Sequence, residues 1–178
     1  MPKEVWTEYK AEEWLRKYLP VAKHVLCKKP EDVLKAIKKF RYPVVLKLVA
    51  KDLIHKSDMG AVQIVKNAEE LEKKMAFLIS SAKKHKLKTE GILLQEFVDG
   101  HQVIIGIKKD QTFGHCVMLG LGGIFVEILK DITFRMCPIT EEDAEEMINE
   151  LQGKKILEGY RGGIKAVSYT HLTLPTIA

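Results

Sequence analysis

Tyr42-Pro-Val-Val-Leu-Lys-Leu-Val-Ala-Lys-Asp-Leu-Ile-His-Lys-Ser-Asp-Met-Gly-Ala-Val62 is the stretch whose reading decides the fold. The run Val44–Val49 is apolar except for Lys47 at its middle. Its short length and β-branched content predict a strand opened by Pro43. A lysine inside such a strand is costly unless an anion meets it. The polar turn His55-Lys56-Ser57-Asp58 and then Gly60 follow at once. Small and polar turn residues can offer backbone N–H groups to the same anion. The combination points to a phosphate site, and so to a nucleotide.

Working outward, Thr7 is placed to cap a helix carrying Ala11, Trp14, Leu15 and Tyr18 on one face and ending at Pro20. A short strand is expected over residues 22–27. Pro30 fits the first turn of a second helix, with Val33, Leu34, Ile37 and Phe40 inward. Residues 60–65 read as the partner of the quoted strand. Asn67 caps a third helix with Leu71, Met75, Leu78, Ile79 and Ala82 inward. Strands are expected at 91–97, 102–108 and 115–119, with turns at Asp99-Gly100 and at 110–112, and a further strand at 125–129. Thr140 and Asp143 form a capping-box start for a last helix. Tight hairpins imply antiparallel pairing, so the fold class is α+β and not a doubly wound parallel sheet.

The chain has 178 residues, 46% hydrophobic and 30% charged, with net charge +5 and a pI near 9.0. That composition excludes disordered and membrane classes and fits one domain or two small lobes. The start Met1-Pro2-Lys3-Glu4 lacks the apolar core of a secretory signal, and a cytoplasmic location is expected. Cys27, Cys116 and Cys137 form no Cys-x-x-Cys pair and read as reduced thiols. The lysines interleave with glutamates on helix faces and have few aromatics among them. No nucleic-acid platform and no membrane surface are therefore expected.

Four stretches together resemble the ATP-grasp domain of the β subunit of ADP-forming acetyl-CoA synthetase. They are the quoted segment, Leu93-Leu-Gln-Glu-Phe-Val98, Val103-Ile-Ile-Gly-Ile107, and Phe113-Gly114 with Val117-Met-Leu-Gly-Leu-Gly-Gly-Ile-Phe-Val-Glu-Ile-Leu-Lys-Asp-Ile-Thr-Phe-Arg135. The likeness runs over about residues 5–165. It implies two α+β lobes with largely antiparallel sheets clamping ATP or ADP with Mg2+. The expected layout is an N-terminal lobe over 1–90 with a phosphate-contacting turn at 50–62, and a C-terminal lobe over 91–165. Residues 166–178 carry no Asp, Glu, Lys or Arg and are expected to be a non-native tail. The last lobe is then incomplete, and the chain is expected to be inactive alone.

The resemblance implies an acid–thiol ligase that interconverts acyl-CoA, ADP and phosphate with acid, CoA and ATP. Its α-subunit partner is expected in a heterotetramer. The alternative is a catalytically incomplete nucleotide-binding module. By the same likeness Lys47 neutralises phosphate oxygens, and His55, beside Lys56, carries the phosphoryl group. Gly60 allows close backbone approach or a positive φ, and Ala61 stands where the family has a second glycine. Glu96, Phe97 and Val98 form the hinge that reads adenine. Gln102 replaces a nucleotide-contacting Glu, and Arg135 grips phosphate as a fork. Glu127 and Asp131 either touch metal-bound water or pair with Lys130, the pairing being favoured. The glycines 120–123 make an anion nest or a tight crossover. Metal ligands are expected in an Asp-Ile-Asn-Pro-type motif and a later aspartate that the sequence does not reach.

Overall fold

Six of the seven residues of β2, Val44–Ala50, are buried, Lys47 being the exception. The computed structural model describes residues 5–51, 59–123 and 128–159. Within it the chain divides into two units, 1–98 and 99–178.

In the first unit β2 is an inner strand of an antiparallel sheet ordered β1-β4-β2-β3. The other strands are β1 (His24–Cys27), β3 (Val62–Val65) and β4 (Thr89–Glu96). Lys47 stands opposite Leu93 on one side and Val62 on the other. Because strand side chains alternate, β2 has two faces. Val44, Leu46, Leu48 and Ala50 join the core with α2 (Pro30–Ala36) and α3 (Ala68–Lys84), whereas Lys47 points to the other face. Leu71, Met75 and Leu78 recur at helical spacing and lay α3 on the sheet. Leu46, Leu78 and Leu94 are fully buried, each contributing about 1.5–3 kcal/mol. The Asn67 side chain caps α3 by accepting from Glu70 N–H at 3.1 Å. Lys86, at φ 52°, ends it, and Leu87 N–H reaches back to the Ala82 carbonyl at 3.0 Å.

Helix α1 (Glu8–Leu15) buries no residue. It stops at Leu15, five residues before Pro20, as tighter turns from Trp14 and Leu15 take up Lys17 and Tyr18. Thr7 flanks it, but its hydroxyl reaches Glu90 at 3.3 Å and makes no cap.

The second unit is an antiparallel sheet ordered β5-β6-β7: Val103–Asp110, Gly114–Leu121 and Ile132–Met136. Met147 of α4 (Glu141–Glu150), Leu157 of α5 (Lys154–Leu157) and Leu151 between them form a core with Val117, Leu119 and Leu121. Thr140 and Asp143 form the expected capping box, with bonds of 3.2 and 2.8 Å. On β5, Val103, Ile104, Ile105 and Ile107 are exposed.

Three expectations are corrected. Strand β4 does not form a hairpin with β5; it inserts between β1 and β2. The division therefore falls after Val98 and not at residue 90, and Asp99-Gly100 links two sheets. The strand expected at 125–129 lies partly outside the described residues, and Ile128 and Leu129 belong to no strand. The third strand of this sheet is instead β7, which the sequence reading passed over.

Candidate functional site

Lys47 meets an anion, as its burial demands, but the anion is a carboxylate of the chain itself. Its Nζ lies 2.5 Å from Glu8 Oε1, at the first turn of α1. The two side chains are 19% and 22% exposed. Glu8 was missed because 39 residues separate it from Lys47 and nothing local marks it. Neighbouring contacts seat α1 on the same face. Gln95 donates to Glu12 at 2.9 Å, and the His24 ring lies 3.1 Å from Glu12 and 2.9 Å from Glu13.

His55 and Lys56 lie outside the described residues. Gly60 has φ 62°, where a side chain is strained, and an added Cβ would come within 2.9 Å of Phe77. Ala61 is 1% exposed, its methyl in the core and its carbonyl bonded to Leu48 N–H at 2.8 Å. The departure from the second glycine thus fills core space.

Glu96 ends β4 and is tied to β1's approach: its carboxylate accepts from Lys23 N–H at 2.7 Å and its N–H donates to the Lys23 carbonyl at 2.9 Å. It lies three residues beyond Leu93, the register partner of Lys47, so Glu96 and Lys47 point to opposite faces. Phe97 and Val98 follow, both exposed.

Gln102 lies in the second unit, where its carbonyl accepts from Gly122 N–H at 2.6 Å. A Cβ on Gly122 would sit 2.8 Å from Gln102 Cβ, so glycine there serves close backbone approach. The two segments line a groove of about 300 Å3 with Gly100, His101, Gly123 and Ile156. Of the two readings left open for the glycines, tight crossover describes Gly122.

Arg135 has its fork filled. Its guanidinium donates to both oxygens of Glu150, at 3.0 and 2.6 Å, and to Glu146 at 3.2 Å. These carboxylates push its pKa upward, and Arg135 in turn holds the Glu150 carboxyl below its usual range. The fork ties β7 to α4. Asp131 likewise departs from expectation. It is buried and accepts from Gln152 and Gly153 N–H at 2.8 and 2.9 Å, with no pairing to Lys130. Glu127 lies outside the described residues.

A larger groove, about 440 Å3, lies on the helix side of the first sheet among Cys27, Leu48, Ile79, Ile92 and the lysines at 28, 29, 83 and 86. It holds none of the residues nominated from sequence. Burial, then Asp32, pushes the Cys27 thiol up to about 11, which keeps it protonated and inert at neutral pH. All three cysteines are free. Among the described residues no group of His, Cys, Asp and Glu could hold a metal ion, and no helix is long and apolar enough to cross a membrane.

Two antiparallel α+β units, the first with a half-buried lysine on an inner strand, define a class. The chain belongs to the ATP-grasp domain family, which matches residues 2–175. Within that family its relatives include ADP-forming acetate–CoA ligases and a 4-hydroxybutyrate–CoA ligase. The chain is 45% identical over 160 residues to the β subunit of acetate–CoA ligase [ADP-forming] II from Pyrococcus furiosus, covering 87% of this chain and 68% of that one. It spans 23% of other, longer relatives. Among solved structures, acetyl-coenzyme A synthetase 1 of Ca. Korarchaeum cryptofilum, in complex with coenzyme A, Ca-AMPCP and HgCl+, superposes with a TM-score of 0.86 at 38% identity. That match covers 92% of this chain and 73% of that one. The same protein with coenzyme A and Mg-AMPPCP, its phosphohistidine segment pointing towards the nucleotide binding site, gives 0.74 at 36% identity, covering 90% and 70%.

Proposed function

We propose that the chain is the nucleotide-handling part of an ADP-forming acyl-CoA synthetase. The observation that carries the reading is the 38% identity and TM-score of 0.86 to a synthetase solved with a nucleotide analogue. In this reading Lys47 faces phosphate oxygens from a half-buried position, where a charge contact is stronger than in water. Backbone groups at Glu96, Phe97 and Val98 read the base, and Gln102 contacts the nucleotide by its side-chain amide.

His55, as a neutral imidazole, takes the phosphoryl group from a phosphohistidine of the α subunit: the new N–P bond forms on its ring as the donor's N–P bond breaks, and Lys56 draws in the charge. A β-phosphate oxygen of ADP then attacks phosphorus. The O–P bond forms as the N–P bond breaks, giving ATP and the free imidazole. Catalysis of this kind is mainly positioning and charge neutralisation. Magnesium accompanies the nucleotide analogue in a relative, but the described residues here supply no metal cluster. The acid and CoA chemistry belongs to an α subunit, in a heterotetramer.

The second reading is a nucleotide-binding module without turnover, favoured by Ala61 and Gln102, which stand where the resemblance implies a glycine and a glutamate. Labelled phosphate separates the two. With the α subunit and acyl-CoA present, the chain becomes labelled in the first reading, and His55→Ala abolishes the label while ADP still binds. A chain that takes up ADP but never label leaves the second. An unaltered labelling rate in His55→Ala removes the role given to that histidine.

A further inference from the structure

We propose that Glu8 is a positioning residue for Lys47, fixing its ammonium for contact with the phosphates of a nucleoside diphosphate. The proposal rests on the reading of Lys47 as the phosphate-facing cation and adds a residue to it.

Lysine is a point charge on a flexible four-carbon stem, and its aim must be supplied from outside. Here Glu8 Oε1 takes one N–H of the ammonium at 2.5 Å, with both side chains about four-fifths buried. A lysine ammonium has three donors. A carboxylate and a phosphate can therefore bind the same nitrogen along different directions, with the cation between the two anions.

Glu8 is itself placed by a seat of polar contacts, because α1 buries no residue. Gln95 on β4 holds Glu12, and His24 on β1 lies within 2.9 Å of Glu13 and 3.1 Å of Glu12. Thr7, just before the helix, holds Glu90. These contacts anchor α1 to two strands of the sheet that carries Lys47, so the docking of α1 sets where the ammonium points. The ordering of the long side chain is then met in folding rather than at binding.

The test is calorimetric titration of the full chain with magnesium-ADP and with adenosine, comparing Glu8→Ala, Glu8→Gln, Lys47→Met and the Glu8→Ala/Lys47→Met double variant. Glu8→Ala is expected to weaken ADP about tenfold and adenosine less than about twofold, as fits loss of one charged contact felt only by phosphate. Glu8→Gln, which keeps an acceptor oxygen, is expected to recover part of the loss. In the Lys47→Met background Glu8→Ala should add nothing.

Tighter ADP binding in Glu8→Ala would make the carboxylate a competitor and overturn the proposal. Equal losses for ADP and adenosine would reduce Glu8 to a fold residue and do the same. If Lys47→Met weakens ADP while Glu8→Ala does not, the positioning role alone falls. If Lys47→Met leaves ADP affinity unchanged, or the unaltered chain takes up no ADP, the site reading falls and this role with it. Trp6 and Trp14, the chain's two tryptophans, report whether α1 stays docked in each variant.

Discussion

Replacing Asp131 by alanine tests how the second unit holds together. Its carboxylate is 4% exposed and accepts two backbone N–H groups, from Gln152 at 2.8 Å and Gly153 at 2.9 Å. These donors open α5, whose Leu157 and partner Ile156 pack on Leu121 and Met147. A hydrogen bond to a charged acceptor is worth about 1.5–3 kcal/mol. Two of them, taken at the low end of that range, give a loss of about 3 kcal/mol for Asp131→Ala. Asp131→Asn keeps one acceptor oxygen but turns an NH2 toward the second donor, so it should cost nearly as much. The assay is urea unfolding followed by far-UV circular dichroism, since both tryptophans lie in the first unit and would miss the event. A loss below about 0.5 kcal/mol with the α5 signal intact would refute the reasoning.

Arg135→Ala should destabilise the second unit, less so at high salt, because the pairs it breaks are with exposed carboxylates. The Glu150 carboxyl is depressed from 4.5 by Arg135, so this stabilisation is present above about pH 4.5 and lost as pH falls through the lower folded value. Acid unfolding curves of the two proteins should therefore converge at low pH. Gly122→Ala should cost about 1–3 kcal/mol by overpacking against Gln102 and narrow the groove there, measurable by unfolding and by probe access to His101. Lys86→Gly should stabilise by about 1 kcal/mol, since φ 52° costs a lysine and not a glycine, and the urea midpoint reads it.

Local signals were the legible ones. Asn67 and the Thr140–Asp143 box mark helix starts by bonds within four residues, and the apolar spacing of α3 follows from its own turn. Pairing across the chain was not legible. Strand β4 carries the same pattern whether it hairpins with β5 or inserts between β1 and β2, and only the whole sheet decides. The argument that a lysine in an apolar strand must meet an anion held, yet it could not say which anion, because Glu8 is distant in sequence. The partners of Arg135 were hidden for the mirror reason. A guanidinium suits carboxylate and phosphate alike, and the glutamates of α4 that fill it are 11 and 15 residues away. Gly122 and Ala61 drew notice for a phosphate turn, while their neighbours in the structure are Gln102 and the first core.

The rim of the second sheet has a practical consequence. Strand β5 pairs with β6 along one side, and among the described residues no strand covers its other side. Its charged residues, Lys108, Lys109 and Asp110, crowd one end, leaving three isoleucines and a valine in the open at the other. Such a border is a template for another chain's backbone. Preparations handled at high concentration are expected to clump through it, and a lysine placed midway along β5 is the substitution that would keep them in solution.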